Sequence, residues 1–185
     1  MLRNVTFFII LLWGIISATQ IIEVSGADTE FKLQQVSPSV LNISMTTGDI
    51  ETFTDMEDDG EYTRLSLPGF HLSRDVGEPE LPEIHSLIEI PQETLPRIEI
   101  IESSYRDYSL EDLGIESPIY PAQPSLSKSQ NPGDIPFAKD PDLYLKNILF
   151  AKQLVSVNIE GQLRAIRIAN LNIRPVDYNP VEGIL

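Results

Sequence analysis

The side chains that most often do chemistry in enzymes are scarce in this sequence. Cysteine is absent, which excludes a thiol nucleophile, a Cys-ligated zinc or iron–sulfur site, and disulfides. The two histidines, His71 and His85, do not have the HExxH spacing of a zinc site. The sequence also lacks a G-x-S-x-G elbow and a glycine-rich phosphate loop. It therefore predicts a non-catalytic chain that uses no metal ion or other cofactor.

One acidic run resembles the beginning of a calcium loop. Asp55, Glu57 and Asp59 supply oxygen ligands at every second position, and Gly60 stands where an EF-hand needs its glycine. The closing position holds Ser66 instead of a bidentate glutamate, and the flanking residues do not have a helical pattern. A solvated acidic loop explains this run better than a calcium site does.

Composition excludes one class of partner. The chain has 13 Lys and Arg residues against 28 Asp and Glu residues, a formal net charge of −15. Such a surface repels the phosphates of DNA and RNA. Of the 185 residues, 42% are hydrophobic, which is enough for the packed core of one domain. We expect a single folded domain that does not bind nucleic acid.

The first residues have the pattern of a secretory leader. A short segment with Arg3 precedes an apolar run from Val5 to Ile16. Two small-residue cleavage patterns follow, one that ends at Ala18 and a better one, Ser25-Gly26-Ala27. The sequence thus predicts a cleaved signal peptide over residues 1–27 and a mature domain over 28–185, with no stable membrane insertion after cleavage. A retained membrane anchor is the alternative.

The elements that would position a site are mostly strands. Alternating apolar and polar residues predict half-buried strands, and prolines and glycines mark the turns between them. An acidic stretch over residues 46–60 has little periodicity and is interpreted as an exposed loop or a distorted hairpin. Strands are predicted within 31–45, as a pair broken at Ser37-Pro38, and over 61–68, 84–90 and 97–102, the last two joined by a short connection.

Two segments are dominated by proline. Val76–Pro82 should run extended, because Pro79 and Pro82 bias the residues before them away from helix. Residues 116–141 contain six prolines among serines, glutamines and lysines, so we expect no core element there. This second segment is predicted to be an ordered but irregular surface loop, where function often resides.

The last part of the chain has the clearest hairpin pattern. Strands are predicted over 147–159 and 163–175 with Glu160-Gly161 as the turn. A bulge near Asn170 would keep two apolar pairs of the second strand, Ile166 with Ile168 and Leu171 with Ile173, on the buried face. Tyr178-Asn179-Pro180 has turn chemistry, and Val181–Leu185 has the pattern of a strand that begins there. We therefore expect a domain that is truncated at its C-terminus.

Three motifs in order carry a family resemblance. They are Gly77-Glu78-Pro79-Glu80-Leu81-Pro82, Ile119-Tyr120-Pro121, and the stretch Arg174-Pro175-Val176-Asp177-Tyr178-Asn179-Pro180. Together they resemble the N-terminal propeptide of the gingipain-like cysteine peptidases, peptidase family C25, over about Pro68 to Pro180. The resemblance implies an all-β fold, an antiparallel β-sandwich-like prodomain with a long Pro-rich surface loop.

The resemblance also implies a role and a partner. Such a prodomain keeps a secreted cysteine endopeptidase latent by occluding its active cleft, and it assists folding of the enzyme. The partner would be the peptidase catalytic domain, in cis or in trans after cleavage, at a secreted, periplasmic or cell-surface location. In the loop from Ile119 to Phe137, the position that matches the family's basic residue is Lys128, which becomes the candidate inhibitory side chain. Lys139 is the nearby alternative.

A different class of function stays open beside this one. A free-standing, secreted β-sandwich module could bind a glycan or a surface partner through exposed aromatic rings. The tyrosines available for such stacking are Tyr105, Tyr108, Tyr120 and Tyr144.

Overall fold

A computed structural model describes residues 19–150 and 153–185. Most of the predicted leader, residues 1–18, lies outside the described residues, and residues 19–27 lie inside them. The predicted all-β fold of antiparallel sheets is confirmed. Its strands are β1 (Gln20–Ile22), β2 (Glu30–Ser37), β3 (Val40–Thr46), β4 (Ile50–Glu57), β5 (Gly60–Ser66), β6 (His71–Leu72), β7 (Pro82–Ile90), β8 (Val155–Leu163) and β9 (Ile166–Ile173). A 3-10 helix (Pro132–Asp134) and a short helix α1 (Pro141–Tyr144) complete the described elements, and neither is long enough to cross a membrane.

A three-stranded sheet, with strand order β1-β4-β5, supports the long loop. The acidic stretch predicted to be an exposed loop or a distorted hairpin instead supplies β4, a regular strand that pairs with β5 from Glu51↔Ser66 to Glu57↔Gly60. The prediction missed this strand because its outward face is acidic, while Ile50 and Thr52 on its inner face are buried. The strand predicted over 61–68 is confirmed as β5.

The strands β2 and β3 form a separate two-stranded hairpin, as predicted. Their turn lies at Pro38-Ser39, next to a register shift between Gln35 and Ser37. Proline at this turn removes no ladder hydrogen bond, which is why the break falls there.

The third sheet has the order β6-β7-β9-β8, with β8 at an edge. The predicted hairpin exists, but its turn lies at Arg164-Ala165, where Arg164 has φ 58°. Glu160-Gly161 is a bulge inside β8, since Ile159 pairs with Ala169 and Gly161 already pairs with Ile168. The bulge predicted near Asn170 is wrong for the same reason, because the extra residue sits on the partner strand.

The central strand β9 therefore keeps one parity throughout. Ala169, Leu171 and Ile173 are at most 2% exposed, and Ile166 and Ile168 stay outside this buried set. The unbroken pairing of β9 with β7, from Ile84↔Ile173 to Ile90↔Arg167, fixes this register.

The strand predicted over 97–102 is absent from the described elements, although the strand predicted over 84–90 is confirmed within β7. Residues 97–102 pair with none of the described strands, and Ile100 and Ile101 are 56% and 87% exposed. A period-two pattern without a pairing partner does not make a strand.

The main core lies where the proline-rich segment begins, contrary to the expectation that residues 116–141 hold no core element. Ile119 is fully buried and Tyr120 is 4% exposed. The Thr63 N–H donates to the Pro118 carbonyl, and the Tyr120 N–H donates to the Thr63 carbonyl, each at 2.8 Å. Prolines are tolerated here because the residues between them make the hydrogen bonds. Around Ile119 pack Ile22, Ile50, Leu65, Leu67, Leu81, Leu110, Ile115, Val176 and Tyr178.

The last described residues form a closed turn rather than the strand predicted over Val181–Leu185. The turn predicted at Tyr178-Asn179-Pro180 is present, and the Asn179 N–H donates to the Ile184 carbonyl at 2.8 Å. The Leu185 and Tyr108 backbones exchange two hydrogen bonds of 2.9 Å, so this end of the chain packs against residues 108–110.

Candidate functional site

One glutamine closes the long loop into a defined unit, residues 123–138. The side-chain amide nitrogen of Gln123 donates to the Ala138 carbonyl at 2.8 Å and to the Pro121 carbonyl at 2.9 Å. The amide oxygen of Gln123 accepts a hydrogen bond from the Ala138 N–H at 2.9 Å. The two ends of the loop are therefore held together by a single side chain, as in a compact Ω-loop. No pattern in the sequence links these two positions, and sequence reasoning missed Gln123.

The tip of the loop is a tight turn. The Gln130 N–H donates to the Ser127 carbonyl at 3.1 Å, and the Ser127 N–H donates to the Gln130 side-chain oxygen at 2.8 Å. Lys128 occupies a central position of this turn and is exposed, as are all residues from 125 to 131. The 3-10 helix begins after them. Within the described residues, the Lys128 ammonium forms no ion pair. The turn thus presents an exposed cation that forms no ion pair with the described part of the chain.

Lys139, the alternative candidate, has the opposite environment. Its ammonium donates to the Tyr62 hydroxyl at 2.8 Å and lies 3.9 Å from a carboxylate oxygen of Asp59. It also lies 4.9 Å from the centre of the Tyr62 ring and 5.1 Å from that of Tyr144. The Lys139 ammonium is therefore bound by side chains of the same chain, at the base of the loop.

An aromatic cluster anchors the returning end of the loop. Phe137 lies 5.3 Å from the Tyr62 ring and 5.6 Å from the Tyr120 ring, and these two tyrosines are 5.8 Å apart. The Arg64 guanidinium lies 3.5 Å from the centre of the Tyr120 ring. Burial, together with the hydrogen bond to Glu57, raises the pKa of Tyr120 to about 12, so its hydroxyl stays protonated. The anchor is apolar inside and hydrogen-bonded at its rim.

The acidic run that resembled a calcium loop provides this rim. Asp55 accepts from the Arg64 Nε at 2.7 Å, Glu57 from the Tyr120 hydroxyl at 2.7 Å, and Asp59 from the Tyr62 hydroxyl at 2.7 Å. Each of the three carboxylates accepts a hydrogen bond from a different donor, and the three do not converge on one point. Among the described residues, no group of three or more His, Cys, Asp or Glu side chains is placed to hold a metal ion.

The glycine of the first motif fixes the other side of the loop base. Gly77 has φ 85°, a left-handed conformation that favours glycine. Its N–H donates to the Ala122 carbonyl at 2.9 Å, and its carbonyl accepts from the Asp140 N–H at 3.0 Å. A Cβ atom here would lie 3.1 Å from the Asp140 nitrogen. Gly77 therefore joins the residues just before and just after the loop.

The two histidines lie in a different region, on a shallow depression lined by residues of β6 and β7 and by residues that follow β6 and β9. His85 Nε2 lies 2.5 Å from one oxygen of the buried Glu83, and the Arg174 Nε donates to the other at 2.8 Å. Burial alone would raise the pKa of Glu83, but the hydrogen bonds from His85 and Arg174 outweigh it and hold this pKa below its ordinary value. His71 is exposed. This cluster braces the sheet and lies apart from the loop.

The four tyrosines proposed for a stacking surface do not form one. Tyr120 is buried in the aromatic anchor, and the Tyr144 hydroxyl donates to the Ile119 carbonyl at 2.7 Å. The Tyr108 hydroxyl donates to backbone carbonyls of residues 23 and 24. Of the four, Tyr105 alone is freely exposed, at 87%.

Comparison with known proteins agrees with the three motifs. The family model Propeptide_C25 matches residues 32–185. Lys-gingipain HG66 and Lys-gingipain W83, both from Porphyromonas gingivalis, are 35% and 34% identical over 126 residues, which is 68% of this chain and 7% of each relative's length. A structure that addresses the zymogenic latency of gingipain K from P. gingivalis matches with a TM-score of 0.80 at 28% identity, over 90% of this chain and 91% of that one.

A second solved structure shares the fold at lower identity. It is the complex of the pro- and mature domains of RgpB from P. gingivalis, with a TM-score of 0.70 at 18% identity, over 83% of this chain and 77% of that one. Because the family model covers most of the chain, the chain belongs to the Propeptide_C25 family, and the resemblance seen in the sequence is confirmed.

Proposed function

From this family membership, we propose that the chain is the non-catalytic N-terminal prodomain of a secreted C25-type cysteine endopeptidase. In this proposal the prodomain keeps the enzyme latent by inserting the loop 123–138 into the active cleft, with Lys128 in the specificity pocket. It also assists folding of the catalytic domain. The partner is that catalytic domain, in cis before processing and in trans after it.

The observation that carries the proposal is the contrast between the two lysines. Lys139 is held by Tyr62 and Asp59, whereas Lys128 stands exposed on a closed turn without an ion pair among the described residues. An exposed cation at the tip of a loop complements the charge of an acidic pocket.

The loop is also prepared for docking before it meets a partner. Gln123 joins its ends, Phe137 anchors its return, and the Ser127–Gln130 turn fixes its tip. A segment that is ordered in advance loses less conformational entropy on binding, so more of the contact energy appears as affinity. This preorganisation supports inhibition by insertion.

An exported location follows from the same proposal. The apolar run near the N-terminus would direct the chain out of the cytoplasm, to the periplasm, the cell surface or the medium. A peptidase that travels this route needs to stay inactive until it arrives, which is the task of a latency prodomain.

Inhibition in trans tests the proposal. The purified chain should inhibit a C25 peptidase catalytic domain acting on a peptide with a basic residue before the scissile bond, and the inhibition should be competitive. Inhibition that is noncompetitive, or none at all, would contradict insertion into the cleft. For the folding role, the yield of active catalytic domain after refolding should rise when the chain is present at equal concentration, and an unchanged yield would contradict that part.

A further inference from the structure

Residues 20–27, which fall inside the predicted leader, are built into the folded domain. The strand β1 pairs with β4 through Gln20↔Thr52, Ile21↔Glu51 and Ile22↔Ile50. The Ile22 side chain is 1% exposed and belongs to the main core. The burial of this apolar side chain stabilises the folded domain.

The residues that follow β1 are held just as firmly on one side. The Val24 and Gly26 N–H groups donate to the same carboxylate oxygen of Asp49, at 2.9 and 3.3 Å. The Ser25 hydroxyl donates to the Thr47 carbonyl at 2.9 Å. These contacts follow the chain to the edge of the favoured cleavage pattern at Ala27.

A second set of contacts holds the same residues from the opposite side. The Tyr108 hydroxyl donates to the Glu23 carbonyl at 3.2 Å, and the Arg106 guanidinium donates to the Val24 carbonyl at 3.1 Å. The Gln20 side-chain amide donates to the Leu113 carbonyl at 2.5 Å. Segment 20–24 therefore lies between β4 and the stretch around residues 106–113.

Cleavage after Ala27 would remove all of these contacts together. It would expose the free edge of β4, uncover Ile50 and leave the Asp49 carboxylate without its two backbone donors. A bare strand edge beside an apolar core is a site for aggregation. Cleavage after Ala18, the other small-residue pattern in the sequence, would keep every one of them.

We propose that signal peptidase cuts this chain after Ala18, so that the mature prodomain begins at Thr19 and includes β1. Cleavage at Ser25-Gly26-Ala27, although this is the better match in sequence, would remove a strand that is part of the folded domain. This inference concerns the processing site and is independent of the proposed latency function.

Export of the full chain tests the processing site directly. The 185-residue chain is produced in a bacterial host with a Sec pathway, and the exported product is analysed by intact mass and N-terminal sequencing. We expect an N-terminus at Thr19. Any other N-terminus, Asp28 included, or an exported product that is not cleaved would overturn the proposal.

Matched substitutions at the two candidate −1 positions separate them further. A charged residue at the −1 position blocks signal peptidase, so Ala18→Arg should make the uncleaved precursor accumulate. Ala27→Arg, at an exposed position, should leave the mass of the product changed only by the substitution itself. Precursor accumulation with Ala27→Arg and normal processing with Ala18→Arg would overturn the assignment.

A comparison of two purified chains tests the structural reason. The chain that begins at Thr19 should unfold cooperatively in urea, and the chain that begins at Asp28 should unfold at a clearly lower midpoint or lose cooperativity. Ile22→Ser in the longer chain should lower the midpoint without shortening the chain. Equal midpoints for all three would show that β1 contributes nothing, and the reasoning would fail.

Discussion

Replacing Lys128 by alanine tests the proposed latency mechanism at the side chain to which we assign it. Lys128 is exposed at the loop tip, and within the described part of the chain its ammonium takes part in no ion pair. Alanine therefore removes a charge without removing an ion pair to the described residues. The free energy of unfolding should change by less than about 0.5 kcal/mol.

The cost should appear when the loop meets the peptidase. Truncating one partner of a buried, hydrogen-bonded charge pair costs about 2–5 kcal/mol of binding free energy. Because the exposed Lys128 loses its hydration on docking, we expect the lower part of this range, about 2–3 kcal/mol. At 1.4 kcal/mol for each factor of ten, this corresponds to a rise of about 30- to 150-fold in the inhibition constant.

The assay is inhibition of the peptidase domain in trans, with urea unfolding of each variant beside it. Lys146 is exposed and lies outside the loop, so Lys146→Ala changes the net charge by the same amount and serves as the control. It should leave the inhibition constant within about twofold, the effect of a screened surface charge. A folded Lys128→Ala chain that inhibits like the wild type would refute the mechanism, and an equal loss with Lys146→Ala would reduce it to bulk charge.

Three further substitutions test the support of the loop and the sheet. Gln123→Ala removes the hydrogen bonds that link the two ends of the loop. The inhibition constant, measured in the same assay, should rise by about five- to thirtyfold, because the freed loop must be ordered on binding. An unchanged inhibition constant would exclude preorganisation. Gly77→Ala should lower the free energy of unfolding by about 1–3 kcal/mol, because Gly77 has a left-handed φ and a Cβ there would crowd Asp140. Gly133 does not have a left-handed φ, so Gly133→Ala should change this free energy by less than about 0.5 kcal/mol. Equal urea midpoints for the two variants would contradict this reasoning. Glu83→Gln should cost about 1–3 kcal/mol, because a charged acceptor for Arg174 is lost. The folded state lowers the pKa of Glu83, so the stabilisation by this carboxylate is complete above the ordinary glutamate pKa and is lost as the pH falls towards the lower folded value. In acid unfolding curves the wild type should therefore lose more stability than Glu83→Gln. Parallel curves for the two proteins would contradict this role of Glu83.

Local patterns in the sequence predicted the elements that depend on local chemistry. The hairpin of β2 and β3, the strand β5 and the strand β7 all follow from alternation bounded by turn residues. The position of the last turn did not follow, because Gly161 suits a bulge as well as a turn. The turn lies at Arg164-Ala165 because β9 pairs with β7 as well as with β8, and this long-range pairing is not visible in a local pattern.

Long-range hydrogen bonds explain the other errors. A segment rich in proline is usually exposed, because proline has no backbone N–H to donate a hydrogen bond. For this reason the sequence predicts that residues 118–122 lie at the surface. In the structure, the N–H groups of Tyr120 and Ala122 find carbonyls of Thr63 and Glu78 at 2.8 Å, which makes burial possible. The prediction for the acidic run is wrong for a similar reason, since the donors to its carboxylates come from β5 and from Tyr120.

The motifs that made the family recognisable lie at the base of the loop rather than at its tip. The Glu80 N–H of the first motif donates to the Tyr120 carbonyl of the second at 2.8 Å, and the buried Tyr178 of the third packs in the same core as Ile119. These contacts depend on particular residues, because they need buried side chains such as Tyr178 and a glycine with a left-handed φ at position 77. The tip, residues 125–131, is exposed and makes no such demands on the fold. The fold therefore separates the residues that hold the loop from the residue that we propose a pocket recognises. Under that proposal, we expect a change at position 128 to alter which peptidase is inhibited without a cost to stability.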